Sequence, residues 1–110
     1  MATVFKNVLY SGLGTTPVTV LTTASNAKTT VIGLSLTNMT SGVVLASVLV
    51  TDTVALTSAY FIKDVILPPN ESLRVVNGGE RLVLGASTSI TLSSTAASSL
   101  DVVMSYVEIV

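Results

Sequence analysis

With no histidine and no cysteine in this 110-residue chain, the carboxylates Asp52, Asp64, Glu71, Glu80, Asp101 and Glu108 are its first candidates for acid–base work near neutral pH or for binding a hard cation. Without His there is no Ser-His or Cys-His pair to activate a nucleophile. Without Cys there is no disulfide, no thiolate and no sulfur ligand for a metal. Two of the carboxylates could in principle act as the acid and nucleophile of a glycosidase, but the six stand isolated along the chain, and solvated or ion-paired surface positions account for them better. Calcium would need several oxygen ligands in one loop, as in a D-x-D-x-D-G run, and none is present. These residues predict no enzyme, no metal and no cofactor.

Glycines and aromatics offer little more. Gly12-Leu13-Gly14 lacks the Gly-Lys-Ser/Thr and the following helix of a phosphate loop. Asn77-Gly78-Gly79-Glu80, between Val75-Val76 and Leu82-Val83-Leu84, reads as a hairpin turn that pairs its two flanking strands. The aromatics are Phe5, Tyr10, Tyr60, Phe61 and Tyr106, with no Trp. A sugar-binding module would want a flat aromatic platform, and Tyr60-Phe61 could put one ring outside while the other fills the core; core and interface packing is the simpler expectation. Lys6, Lys28, Lys63, Arg74 and Arg81 are scattered and the net charge is -1, so no phosphate backbone is a fitting partner.

The elements that carry these residues are strands. Apolar residues make up 49% of the chain, dealt out in short Val- and Leu-rich runs between Ser and Thr, as in Val18-Thr19-Val20-Leu21-Thr22. β-Branched side chains lose little freedom on a pleated surface, so this composition favours sheet. Turn signals recur and divide the chain into strands near Thr3 to Leu9, Pro17 to Thr22, Thr29 to Asn38, Val43 to Asp52, Tyr60 to Leu67, Ser72 to Val76, Arg81 to Leu84, Ser87 to Leu92 and Leu100 to Ile109. Thr53 to Ser58 could at most form a helical turn. Residues 1–110 are therefore expected to form one all-β domain, an antiparallel two-sheet sandwich, jelly-roll-like, of eight or nine strands. Alternation places Ile32, Leu34 and Leu36 in its core, and Pro68-Pro69-Asn70-Glu71 reads as a surface turn.

Charged residues are only 10% of the chain, against roughly a quarter in ordinary soluble domains. The longest apolar stretch, Val43 to Val50, is far too short for a helix across a bilayer, and no secretory leader is recognisable at the start, so a protein made inside the cell and with no membrane contact is expected. Val43 to Val50 and Leu100 to Val110 are apolar on both faces, more than one sandwich core absorbs. That excess predicts a covered surface: self-association, expected as a closed homotrimer, through Val43, Leu45, Leu49, Val103, Val107 and Ile109.

Pro17-Val18-Thr19-Val20 and Thr30 to Asn38, then Ile66 to Leu73, Glu80 to Leu84, Ser98 to Val103 and Tyr106 to Ile109, follow a rhythm that resembles small virion structural proteins of tailed bacteriophages, of the capsid decoration (cement) type. The likeness runs over nearly the whole chain and lies in strands and turns, so it transfers no functional residue. It implies a β-sandwich or jelly roll bound to the outside of the head, with the major capsid protein as partner and the virion as its location. A tail or fibre component and a carbohydrate-binding module are the alternatives.

Overall fold

The computed structural model describes residues 2–76 and 81–110. They form nine strands: β1 (Thr3–Leu13), β2 (Val18–Thr22), β3 (Lys28–Asn38), β4 (Val44–Asp52), β5 (Thr57–Leu67), β6 (Ser72–Val76), β7 (Leu82–Leu84), β8 (Thr88–Ser94) and β9 (Leu100–Ile109). One sheet runs β1-β9-β3-β6, with β7 also on β3, and the other runs β2-β8-β4-β5. Every pair is antiparallel. This is the strand order of a jelly roll, and the expected sandwich is the observed one.

Alternation decides which side chains meet between the sheets. On β9, Val102, Met104 and Tyr106 are buried while Val103 and Ile109 face out, and on β4 Val44, Ala46 and Val48 are buried while Leu45 and Leu49 lie on the outer side. With Leu34, Leu36, Ile90, Leu92 and Leu100 these make one continuous core. Each such Leu or Ile stabilises the fold by roughly 1.5–3 kcal/mol.

Strand β3 departs from simple alternation. Leu34 and Leu36 are in the core as expected, but Ile32 is 38% exposed and Val31 is fully buried instead. The register explains the change: Val31 pairs with Tyr106 and Gly33 with Ser105, so β3 spends an extra residue, Ile32, against one step of β9. This bulge lets both Val31 and Leu34 point inward, which unbroken alternation forbids. The same chemical change should therefore have opposite weight at adjacent positions. Ile32→Ser should shift the urea-derived stability by no more than about 0.5 kcal/mol, whereas Val31→Ser should lose about 2 kcal/mol or more at unchanged m-value.

Three further expectations change. The Asn77 to Glu80 turn lies outside the described residues, but its flanking strands are not paired with each other: β6 lies on Leu34 to Thr37 and β7 on Thr29 to Val31, end to end along one edge of β3. Leu13, beyond the strand expected from Thr3 to Leu9, ends β1 fully buried, after a register shift at which Gly12 adopts φ 79. Thr53 to Leu56 form the tight turn of the β4–β5 hairpin, where the Asp52 carboxylate accepts hydrogen bonds from the N–H groups of Val54 (3.0 Å) and Ala55 (3.1 Å). Pro68 to Glu71 is a surface turn, closed by the Glu71 N–H donating to the Pro68 carbonyl at 3.3 Å.

Candidate interaction surface

Cross-strand rows show what the five-stranded sheet turns outward. Phe5 stands beside Val107, Thr30 and Val83, and Leu9 beside Val103, Ser35 and Arg74. Phe5 is 76% exposed, Leu9 69%, Val83 71% and Val103 48%, and the bulge adds Ile32. Gly33 carries no side chain, so Ile32, Val103, Arg74 and Ser105 surround a shallow depression of about 230 Å³. The result is a broad apolar face with a single charge, Arg74, along the Leu9 row, and soluble monomers rarely leave such a face open.

The outer face of the other sheet is different in kind. Thr19, Thr22, Ser89, Thr91, Ser93 and Thr51 line it, with the Thr19 and Thr91 hydroxyls 3.0 Å apart. Toward the β5 edge this face turns apolar: the half-buried Leu45 and Leu49 stand beside Ile66, 66% exposed, and Tyr60, 52% exposed, and Val43 is exposed in the loop before β4. The six residues expected to form one interface are thus divided. Val103, Val107 and Ile109 are together on one outer face, and Leu45 and Leu49 are on the opposite one.

The carboxylates of Asp52, Asp64, Asp101 and Glu108 are each engaged in local structure. Glu108 accepts an ion-paired hydrogen bond from Lys6 at 3.0 Å, and that bond, followed by the carboxylate charge, raises the Lys6 pKa above its ordinary value. Asp101 accepts from the Ser11 hydroxyl at 3.0 Å and the Gly12 N–H at 3.3 Å, fixing the end of β1. Asp64, at φ 50, donates its N–H to the Ser47 hydroxyl at 2.9 Å within the irregular β4–β5 pairing. Among the described residues no three His, Cys, Asp or Glu gather as a metal site would require. Neither Tyr60 nor Phe61 fills the core: both are exposed on the edge strand β5, and the Lys63 ammonium covers the Tyr60 ring at 5.2 Å from its centre.

One buried polar residue, Asn38 at the end of β3, holds a corner of the sandwich. Asn38 is fully buried; its amide N–H₂ donates to the carbonyls of Gly42 (2.9 Å), Leu67 (3.0 Å) and Pro68 (3.2 Å), and its oxygen accepts from the Thr40 N–H (2.9 Å) and hydroxyl (2.7 Å). It ties β3, the loop before β4, and the end of β5 together. An Asn before Met39-Thr40-Ser41-Gly42 signals a turn, and nothing in the sequence shows that the same side chain reaches residues 67 and 68.

No protein-family model matches the chain, and no curated protein does. A subunit of Bacillus endospore appendages, described as a novel family of disulfide-linked pili, is similar in structure with a TM-score of 0.57 at 13% identity, over 96% of this chain and 86% of that one. A chain of the T13 particle of infectious bursal disease virus gives 0.49 at 10% identity, and one from the Gt strain of that virus 0.48 at 11%. These cover 96% and 97% of this chain but 35% and 33% of the viral ones, so this chain spans about a third of their length. Disulfide linkage is not open to a chain without cysteine. At 13% identity the likeness to the appendage subunit is one of fold, and what this chain shares with it is the β-sandwich.

Proposed function

We propose that this protein is a structural protein of a phage virion, a decoration (cement) protein that seats its five-stranded sheet on the outer surface of the mature head, with the major capsid protein as its partner. The observation that carries this reading is the apolar outer face around Phe5, Leu9, Val103 and Ile32 in a chain with very few charges. The role is passive and needs no catalytic group: a protein that binds only the mature lattice stabilises it by mass action, and many copies make modest contacts collectively effective. The phrase-level likeness to phage decoration proteins supports the same reading, and the sandwich fold is compatible with it.

Two measurements test it. The protein quantified in purified virions should occur in a number set by the lattice sites of the head; a handful of copies that fractionate with tails would overturn the assignment. Val103→Lys and Val107→Lys, each placing an ammonium in the apolar face, should weaken binding to heads by more than about tenfold while leaving the circular dichroism of the free protein unchanged.

A further inference from the structure

Every sheet edge carries unpaired N–H and C=O groups, and soluble proteins blunt such edges with charges, prolines, bulges or shortness. Three edges here are blunted. β2 has five residues, follows Pro17 and is bulged between Thr19 and Leu21. β5 carries Lys63 and Asp64 and slips register twice against β4. β6 and β7 are short, and β6 is bulged and bears Arg74. Strand β1 is the exception: Thr3 to Tyr10 pair with β9 without interruption, and among the described residues β1 pairs with no strand on its other side. Its one charge, Lys6, is tied to Glu108 of β9 and does not guard the edge.

The backbone groups that face outward can be identified. Ala2 and Val110 exchange both hydrogen bonds, Ala2 N–H to Val110 O at 3.0 Å and Val110 N–H to Ala2 O at 2.9 Å. Hydrogen-bonded and non-bonded pairs alternate along an antiparallel ladder, so Val4, Lys6, Val8 and Tyr10 bond β9, and Thr3, Phe5, Asn7 and Leu9 direct their N–H and C=O to the free edge. We propose that this edge pairs with the β1 edge of a second copy, antiparallel about a two-fold axis at Asn7.

The register follows from the side chains. Centred on Asn7, the pairing sets Phe5 opposite the partner's Leu9, and Leu9 opposite the partner's Phe5, so exposed apolar groups cover each other. Lys6 meets the partner's Val8. A two-fold at Lys6 would instead set two ammonium groups directly opposite, which is unfavourable. Pairing at Asn7 also joins the two apolar outer faces into one continuous surface, twice the size a single copy offers a lattice. The dimer is a property of the free protein, so its failure leaves the lattice-binding reading standing.

Light scattering across a dilution series should give twice the 11.3 kDa chain mass. Asn7→Pro removes an N–H that only the edge uses and should give a folded monomer. Phe5→Glu and Leu9→Lys should each halve the mass, and the double variant should restore the dimer, because only this register sets each introduced carboxylate against the introduced ammonium of the other copy. As a test independent of stability, Asn7→Cys should cross-link under mild oxidation, the two Cα atoms being about 5.5 Å apart, and Phe5→Cys should not. A wild-type monomer at high micromolar concentration, a trimer indifferent to Asn7→Pro, or equal cross-linking of both cysteine variants would overturn the proposal.

Discussion

Leu34→Asp abolishes folding of the free protein: no cooperative unfolding transition and no native circular dichroism remain. Leu34 is 1% exposed and stands in the row Val8, Met104, Leu34, Val76, at the middle of the five-stranded sheet. The substitution forfeits roughly 1.5–3 kcal/mol of side-chain burial and places a carboxylate without a partner in the core, at several kcal/mol more. A domain of this size has about 5–15 kcal/mol in total. The bulge at Ile32 offers no escape, because it is what directs Val31 and Leu34 inward together. A soluble Leu34→Asp variant with an unchanged spectrum would contradict the register assigned to β3.

Asn38→Ala should cost about 3 kcal/mol or more, the largest loss expected from a polar truncation here. The side chain is buried and bonds five groups; its removal leaves the buried Leu67 carbonyl without this donor and the Thr40 N–H without its acceptor, while the Pro68 and Gly42 carbonyls keep the Glu71 N–H and the Thr40 hydroxyl. Each buried group left unpaired costs about 1–3 kcal/mol. Asn38→Asp is no rescue, since it turns a carboxylate toward three carbonyl oxygens. Urea titrations of the wild type and both variants would check this, and a loss below about 1 kcal/mol for Asn38→Ala would mean that water replaces the amide at little cost.

Both residues show how far the sequence could be read. Leu34 and Leu36 announce themselves through alternation with Ser35 and Thr37, and most strands fall where turn residues divide the chain. The bulge at Ile32 does not announce itself, because apolar residues run through Val31-Ile32 and only the register against β9 decides which of them is spare. Asn38 reads as a turn residue, and its reach to the end of β5 is a tertiary fact. For the surface, Val103, Val107 and Ile109 were legible from the two apolar faces of β9. Phe5, Leu9 and Val83 were not, because their exposure depends on β1 lying at a sheet edge and β7 lying beside β3. Leu45 and Leu49 share the same pattern as β9 and yet lie on the opposite face, since strand periodicity gives a side and not the sheet to which it belongs.

The most direct test of the apolar face as the lattice-binding surface is a binding titration of the purified protein onto heads that lack it, in mature and precursor form. The wild type should saturate mature heads at a fixed ratio to capsid subunits and bind precursor heads weakly. Val103→Lys should lose that binding, and Thr22→Lys, on the polar outer face of the other sheet, should keep it. Equal binding to both kinds of head, or loss with Thr22→Lys and retention with Val103→Lys, would contradict the account.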